Sequence, residues 1–193
     1  MLNRKPFIIV LTAPSGTGKT TVVKGLLKLD PYLKYSISAT TRLPRKGEED
    51  GKDYYFLKRE DFERWIEEGK LLEYTSLFGH YYGTPKDRVV KLLNQGYDVV
   101  MDLDIKGSDS IKRLYPDAVD IFLSPPSSEE LLNRLKKRGE REEELRRRLS
   151  RFKEEMETGT RFTYFVVNDN LDKTISDIIT IIRAERLKSK RRV

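Results

Sequence analysis

The residues best equipped for chemistry lie in one short stretch: Ala13, Pro14, Ser15, Gly16, Thr17, Gly18, Lys19, Thr20 and Thr21. Small side chains at Ser15, Gly16 and Gly18 let backbone N–H groups turn inward around an anion. A helix starting there adds the positive end of its dipole. Lys19 is spaced to reach the outer phosphates of a nucleoside triphosphate, and the Thr20 hydroxyl can ligate Mg²⁺. This is the spacing of a phosphate-binding loop, with Ala13 where the motif has Gly. Even with that position relaxed to Gly or Ala, a chance match is on the order of one per cent at average residue usage. The loop says that a nucleoside triphosphate binds and leaves the acceptor open.

Further groups suit the same chemistry. Asp102 ends an apolar run, Val99-Val-Met101, with Asp104 two residues on. If that run is a strand parallel to the one before the loop, Asp102 lies at the same sheet edge. It can then hold a Mg²⁺ water or the Thr20 hydroxyl. Arg42 and Arg45, within Thr41-Arg-Leu-Pro-Arg45, put two guanidinium groups on one constrained loop, able to grip a phosphate bidentately. Tyr54 and Tyr82 can add phenol donors. The charged run from 138 to 151 follows Arg134 and contains Arg138 and Arg148. Phosphoryl transfer needs cations on the charge that develops on the moving group, and these arginines can supply them. Most of the other charges in that run, including Arg146 and Arg147, suit a solvated helix face.

The elements that position these groups follow from periodicity. Phe7 to Leu11 reads as a buried strand, and Val22, Val23, Leu26 and Leu27 mark the helix after the loop. Strands are expected at Tyr35–Ser38, Tyr54–Leu57, Leu71–Tyr74, Tyr97–Asp102, Val119–Leu123 and Phe165–Val167. Helices are expected around Phe62–Ile66 (with Trp65 a core residue), from Pro85 to Gly96, up to Tyr115, after the Ser127/Glu130 capping box, up to Glu157, and after Asn170. Phe78 to Gly83 reads as a turn, with His80 a loop residue. Strands alternating with helices imply an α/β fold with a mostly parallel, doubly wound sheet. Residues 39 to 95, rich in short strands and turns, should form a separate inserted lobe. The charged run should be a mobile lid with little apolar surface of its own.

Composition narrows the class. The chain has no Cys, which removes disulfides, thiolate metal sites and a Cys nucleophile and suits a reducing cytoplasm. No apolar run approaches the ~18 residues of a membrane span, and the N-terminus lacks the features of a signal peptide. The net charge of +7 is best explained by arginines and lysines gathered around phosphates. RNA binding would rest on charge alone, because aromatic-rich binding strands are missing. The tail from Lys188 reads as a solvated, frayed end.

With these residues on view, the chain resembles guanylate kinase over nearly its whole length. The resemblance rests on Ala13-Pro-Ser-Gly-Thr-Gly-Lys-Thr20, Ser38-Ala-Thr-Thr-Arg-Leu-Pro-Arg45, Gly47-Glu48, Asp50-Gly-Lys-Asp-Tyr-Tyr-Phe56 and Glu73. It continues in Gly79-His-Tyr-Tyr-Gly-Thr84, Asp102-Leu-Asp104, Arg138-Gly139 and Val167-Asn-Asp169. It implies a P-loop nucleotide kinase with an inserted mixed α/β GMP-binding lobe and a helical lid. It also implies Mg²⁺-dependent transfer of the ATP γ-phosphoryl group to GMP, giving ADP and GDP. The implied parts are a core (1–38, 96–133 and 152–193), a GMP-binding lobe (39–95) and a lid (134–151). Ser38, Glu73, Thr84 and Asp104 match guanine-reading positions, and Arg42, Arg45, Tyr54 and Tyr82 match those on the GMP phosphate. Asn168 matches a position near the adenine, and Arg134 and Arg138 match the ATP side.

The chain departs from the family pattern at Ala13 and in a lid one residue short between Gly139 and Arg148. Two other functions compete: a kinase for AMP, dTMP or a sugar phosphate, and a non-catalytic binding module for phosphopeptides. The insertion argues against the first, and the intact Lys19 and Thr20 against the second.

Overall fold

A computed structural model describes residues 4–77, 79–137 and 142–192, the side chain of Glu144 excepted. Five strands form one parallel sheet: β1 (Ile8–Thr12), β2 (Leu33–Tyr35), β7 (Asp98–Leu103), β8 (Val119–Ser124) and β9 (Tyr164–Val167), in the order β2-β7-β1-β8-β9. Because successive side chains on a strand point to opposite faces, a continuous apolar run fills two cores at once. Ile9, Leu11, Val100, Ile121 and Leu123 meet the helices α1 (Lys19–Leu29) and α7 (Leu171–Leu187) through Val22, Leu26, Ile178 and Ile182. Ile8, Val10, Val99 and Met101 meet α3 (Lys86–Asn94) and α4 (Ile105–Leu114) through Val89 and Ile111 on the other face. This is the doubly wound arrangement that the alternation implied.

A second sheet, β4-β3-β6-β5, is built from β3 (Ala39–Thr40), β4 (Tyr55–Phe56), β5 (Leu71–Leu77) and β6 (His80–Pro85), with α2 (Arg59–Glu67) between β4 and β5. It is mixed: β3 pairs parallel with β4 and antiparallel with β6. The ladder between β5 and β6 slips register between Leu71 and Tyr74, the interval that holds Glu73. Such irregularities re-aim a side chain.

Several expectations are corrected here. The strand expected at Tyr35–Ser38 ends at Tyr35, because Ser36 to Ser38 carry the chain from one sheet to the other. His80 opens β6 instead of sitting in a turn; the tight part of the hairpin is at Gly79, whose φ of 82° only Gly adopts freely. Trp65 is half-buried, and Phe62 is the core residue of α2, stacked on Tyr81.

The charged run is not without apolar anchorage. α6 (Glu142–Gly159) is one helix, so the expected lid boundary at 151 falls inside it. Leu145 and Phe152 on α6 pack with Leu131 and Leu135 on α5 (Ser128–Lys137). The tail is not frayed either. Arg191 is buried with its guanidinium 3.9 Å from the Phe7 ring centroid, and it pairs with Glu185 at 3.3 Å. Its carbonyl accepts from the Lys5 amide at 2.8 Å.

Candidate active site

The register between β1 and β7 decides where the site lies. Leu11 pairs with Asp102 and Thr12 with Leu103, so the loop leaving β1 starts level with Asp104. In parallel sheets the carboxyl ends of the strands open on a crevice. Here that crevice is a cleft of about 290 Å³ lined by loop residues 13–21, the end of β7, and residues of the second sheet.

On the loop, Gly16 and Gly18 have φ of 95° and 102°, a region that disfavours any side chain. A Cβ at Gly16 would also lie 2.6 Å from Leu135, so α5 presses directly on the loop. Gly18 caps α1, whose first turn carries no acidic residue to offset the positive helix end. The loop is braced from behind. The buried Thr17 hydroxyl donates to the Pro14 carbonyl at 2.8 Å. The Thr17 carbonyl accepts from Asn168 Nδ2 at 2.7 Å and from Arg134 at 3.2 Å. Arg134 also donates to the Asn168 carbonyl at 3.3 Å. Arg134 and Asn168 therefore line a separate hollow on the far side of the loop, with Thr21, Lys137 and Asp169.

Lys19 Nζ donates to the Leu103 carbonyl at 3.1 Å, which holds the ammonium across the cleft floor. Asp102 accepts the Tyr35 hydroxyl at 2.5 Å. Burial, and then the Asp102 charge, push the Tyr35 phenol well up, so it stays a donor. Thr20 and Asp102 offer a hydroxyl and a carboxylate on one cleft wall. These hard oxygen donors fit Mg²⁺, which takes one or two protein oxygens and fills its shell with water and phosphate.

The opposite wall carries the second set. On β5, Glu73, Thr75 and Leu77 face the cleft while Tyr74 and Ser76 face out, the period-2 pattern of a strand with one face covered. Glu73 is 6% exposed and accepts the Thr84 hydroxyl at 2.6 Å. Burial raises its carboxyl to about 7; the Thr84 hydrogen bond pulls it down, and the Asp104 charge adds to the rise. Asp104 caps α4, accepting the Gly107 amide at 2.8 Å. Ser38 is buried beside them and lines the cleft.

Arg45, Tyr54 and Tyr82 reach the same cleft; Arg42 and Thr84 stand one layer behind. Arg42 Nη2 donates to both Glu48 carboxylate oxygens at 2.9 Å, its Nη1 donates to the Leu43 carbonyl at 2.6 Å, and the guanidinium lies over the Tyr54 and Phe56 rings. Burial opposes ionisation of Glu48, but the Arg42 hydrogen bonds and the Arg45 amide more than offset it and lower its carboxyl. Burial raises the Tyr54 phenol, with Asp102 adding to the effect, so it too stays a donor at neutral pH.

From α6, Arg148 donates to the Ser15 hydroxyl and lines the cleft. Arg138 falls outside the described residues. The sequence reading missed Tyr35, Thr75, Leu77, Arg151 and Glu155. Glu155 lines the cleft, pushed up by burial and pulled back by Arg151 and Lys19. The alternation Glu73-Thr75-Leu77 was the available signal for two of them. Tyr35 and Glu155 gave none, because each meets the site only through tertiary packing.

Known proteins resemble the chain throughout. The guanylate kinase family model matches residues 4–185. The guanylate kinase of Caldanaerobacter subterraneus subsp. tengcongensis is 46% identical over 98% of this chain and 93% of its own. That of Rickettsia felis is 45% identical over 97% and 98%. The crystal structure of guanylate kinase from Anaplasma phagocytophilum superposes with a TM-score of 0.85 at 34% identity, covering 100% of this chain and 93% of that one. These full-length matches, and the cleft the two sheets share, make this chain a member of the guanylate kinase family.

Proposed function

We propose that the chain transfers the γ-phosphoryl group of ATP to GMP, yielding ADP and GDP, within purine nucleotide metabolism in the cytoplasm. The observation that carries this reading is the meeting, in one cleft, of a phosphate-binding loop with two carboxylates, Glu73 on β5 and Asp104 just past the end of β7. Guanine presents donors at N1–H and the 2-amino group, and an ionised carboxylate only accepts. Adenine offers a lone pair at N1 and no 2-amino group, which would leave a buried carboxylate unpaired.

In this reading the amides of residues 15 to 20 and Lys19 hold the β- and γ-phosphates. Lys19 neutralises charge on the transferred group. Ser38 donates to guanine O6, and Thr84 orients Glu73. Arg45, Tyr54 and Tyr82 grip the acceptor phosphate, joined by Arg42, whose guanidinium plane Glu48 has already fixed. Arg134 and Asn168 flank the adenine. Arg148, with Arg138, meets the developing charge. When bound, Mg²⁺ on Thr20 and, through water, Asp102 supplies charge compensation at the phosphates.

In this reading the lobe from 39 to 95 and the lid that includes Arg134 and the first turns of α6 close on the core as each substrate supplies its phosphates. Coupled ADP release measured with GMP, AMP and dTMP as acceptors tests the reading. Turnover with GMP alone supports it, and comparable rates with AMP overturn it.

A further inference from the structure

Gly107 lies in the first turn of α4 and is buried. Its backbone conformation is ordinary helix, and it is absent from the residues with positive φ. Helix geometry therefore does not call for Gly here, and Ala would favour the helix. The space around it does. A Cβ at position 107 would stand 2.9 Å from Glu73 Oε2, 3.2 Å from Asp104 Oδ1 and 3.2 Å from the Leu103 Cβ. Two of these three atoms are carboxylate oxygens, one from β5 and one from the N-cap of α4, and both residues line the cleft.

The three obstacles differ in how they can respond. Leu103 Cβ is fixed by the β7 backbone. Asp104 Oδ1 is tied to the Gly107 amide itself at 2.8 Å and moves with the helix end. Glu73 Oε2 is the end of a flexible side chain, anchored through its other oxygen to Thr84 at 2.6 Å. A methyl group at 107 is therefore relieved mainly by rotating the Glu73 carboxylate about its Thr84 contact.

We propose that Gly107 is a specificity-determining position for the acceptor base. The missing side chain sets the spacing of the Glu73 and Asp104 carboxylates that receives the donor edge of guanine. Gly107 is a positioning residue, acting through Glu73 and not by touching substrate. The proposal rests on the assignment of GMP as acceptor, and the experiment separates the two.

The test is Gly107→Ala, alone and combined with Glu73→Gln, with KM and kcat measured for GMP and ATP and Tm measured for each protein. The expected result is a KM for GMP raised about tenfold to a hundredfold, the scale of one misplaced charged hydrogen bond. KM for ATP should stay within about twofold and the variant should stay folded with a cooperative thermal transition, the helix gain from Ala offsetting part of the crowding. In the Glu73→Gln background the same change should cost far less, because contacting residues couple. A KM for GMP unchanged by Gly107→Ala overturns the proposal. So does a loss of the same size in both backgrounds, an equal rise in KM for ATP, or a variant that no longer folds. An unmutated protein that does not phosphorylate GMP fails the functional assignment instead, before any variant is made.

Discussion

Replacing Glu73 by Gln should strengthen the free protein and weaken its hold on GMP. The carboxyl is buried and raised to about 7. The folded protein thus binds a proton at Glu73 between the ordinary glutamate range and pH 7 that the unfolded chain does not. Stability falls wherever the folded state binds more protons than the unfolded one as pH rises. The parent should therefore lose stability as pH climbs from about 4.4 to about 7, by roughly 3.5 kcal/mol in total. Gln is isosteric, uncharged, and still accepts from the Thr84 hydroxyl.

Glu73→Gln should match the parent near pH 4 and exceed it above pH 8, read as urea midpoints at both pH values. The cost falls on the acceptor. kcat/KM for GMP should drop about tenfold to a hundredfold, the scale of a lost charged hydrogen bond. The loss should be smaller with inosine monophosphate if Glu73 reads the 2-amino group. In the parent, KM for GMP should rise about tenfold from pH 8 to pH 6 as the ionised fraction of Glu73 falls from about nine-tenths to about one-tenth. Equal stability of the two proteins at pH 8, together with unchanged kcat/KM for GMP, would refute the reasoning.

Other residues give independent checks. Lys19→Ala should lower turnover by orders of magnitude with an unchanged far-ultraviolet dichroism spectrum, since Lys19 contacts the Leu103 carbonyl and supports no core. Tyr35→Phe removes only the donor to Asp102 at 2.5 Å. It should raise the Mg²⁺ concentration needed for nucleotide binding, seen by calorimetry, about tenfold, as loss of a group that orients a metal-binding carboxylate does; an unchanged Mg²⁺ requirement would disconnect Tyr35 from the site. Leu145→Ala empties part of the small cluster joining α5 and α6. Amide exchange over residues 142–150 should quicken while the central sheet keeps its protection, because local openings draw on local packing.

What the sequence disclosed follows from where the information sits. The phosphate-binding loop was legible because its glycines, Lys19 and Thr20 act through local geometry. The parallel sheet was legible because buried strands on both sides of Thr12 and Asp102 read as unbroken apolar runs. The acceptor wall came through the resemblance, and the structure adds what spacing cannot carry: the register slip at Glu73, the hydrogen bond from Thr84, and the close approach of Glu73 and Asp104 to Gly107.

The errors share a cause. The Lys188–Arg192 tail and the run to 151 look solvated because they are charged. Arg191 nonetheless docks on the ring of Phe7, distant in sequence, and on the Glu185 carboxylate, and α6 carries Leu145, within the run, and Phe152, just past it, into the cluster with α5. Tyr35 resembles any strand aromatic until β2 pairs with β7 and brings its hydroxyl to Asp102.

The central claim is that one cleft joins a triphosphate-binding loop to a wall built for guanine. Initial rates of ADP formation with GMP, AMP and dTMP, at fixed ATP and Mg²⁺, test it most directly. The account predicts a kcat/KM for GMP at least ~10⁴-fold above that for AMP, the discrimination open to sites built on hydrogen bonds. Comparable values for GMP and AMP would contradict it.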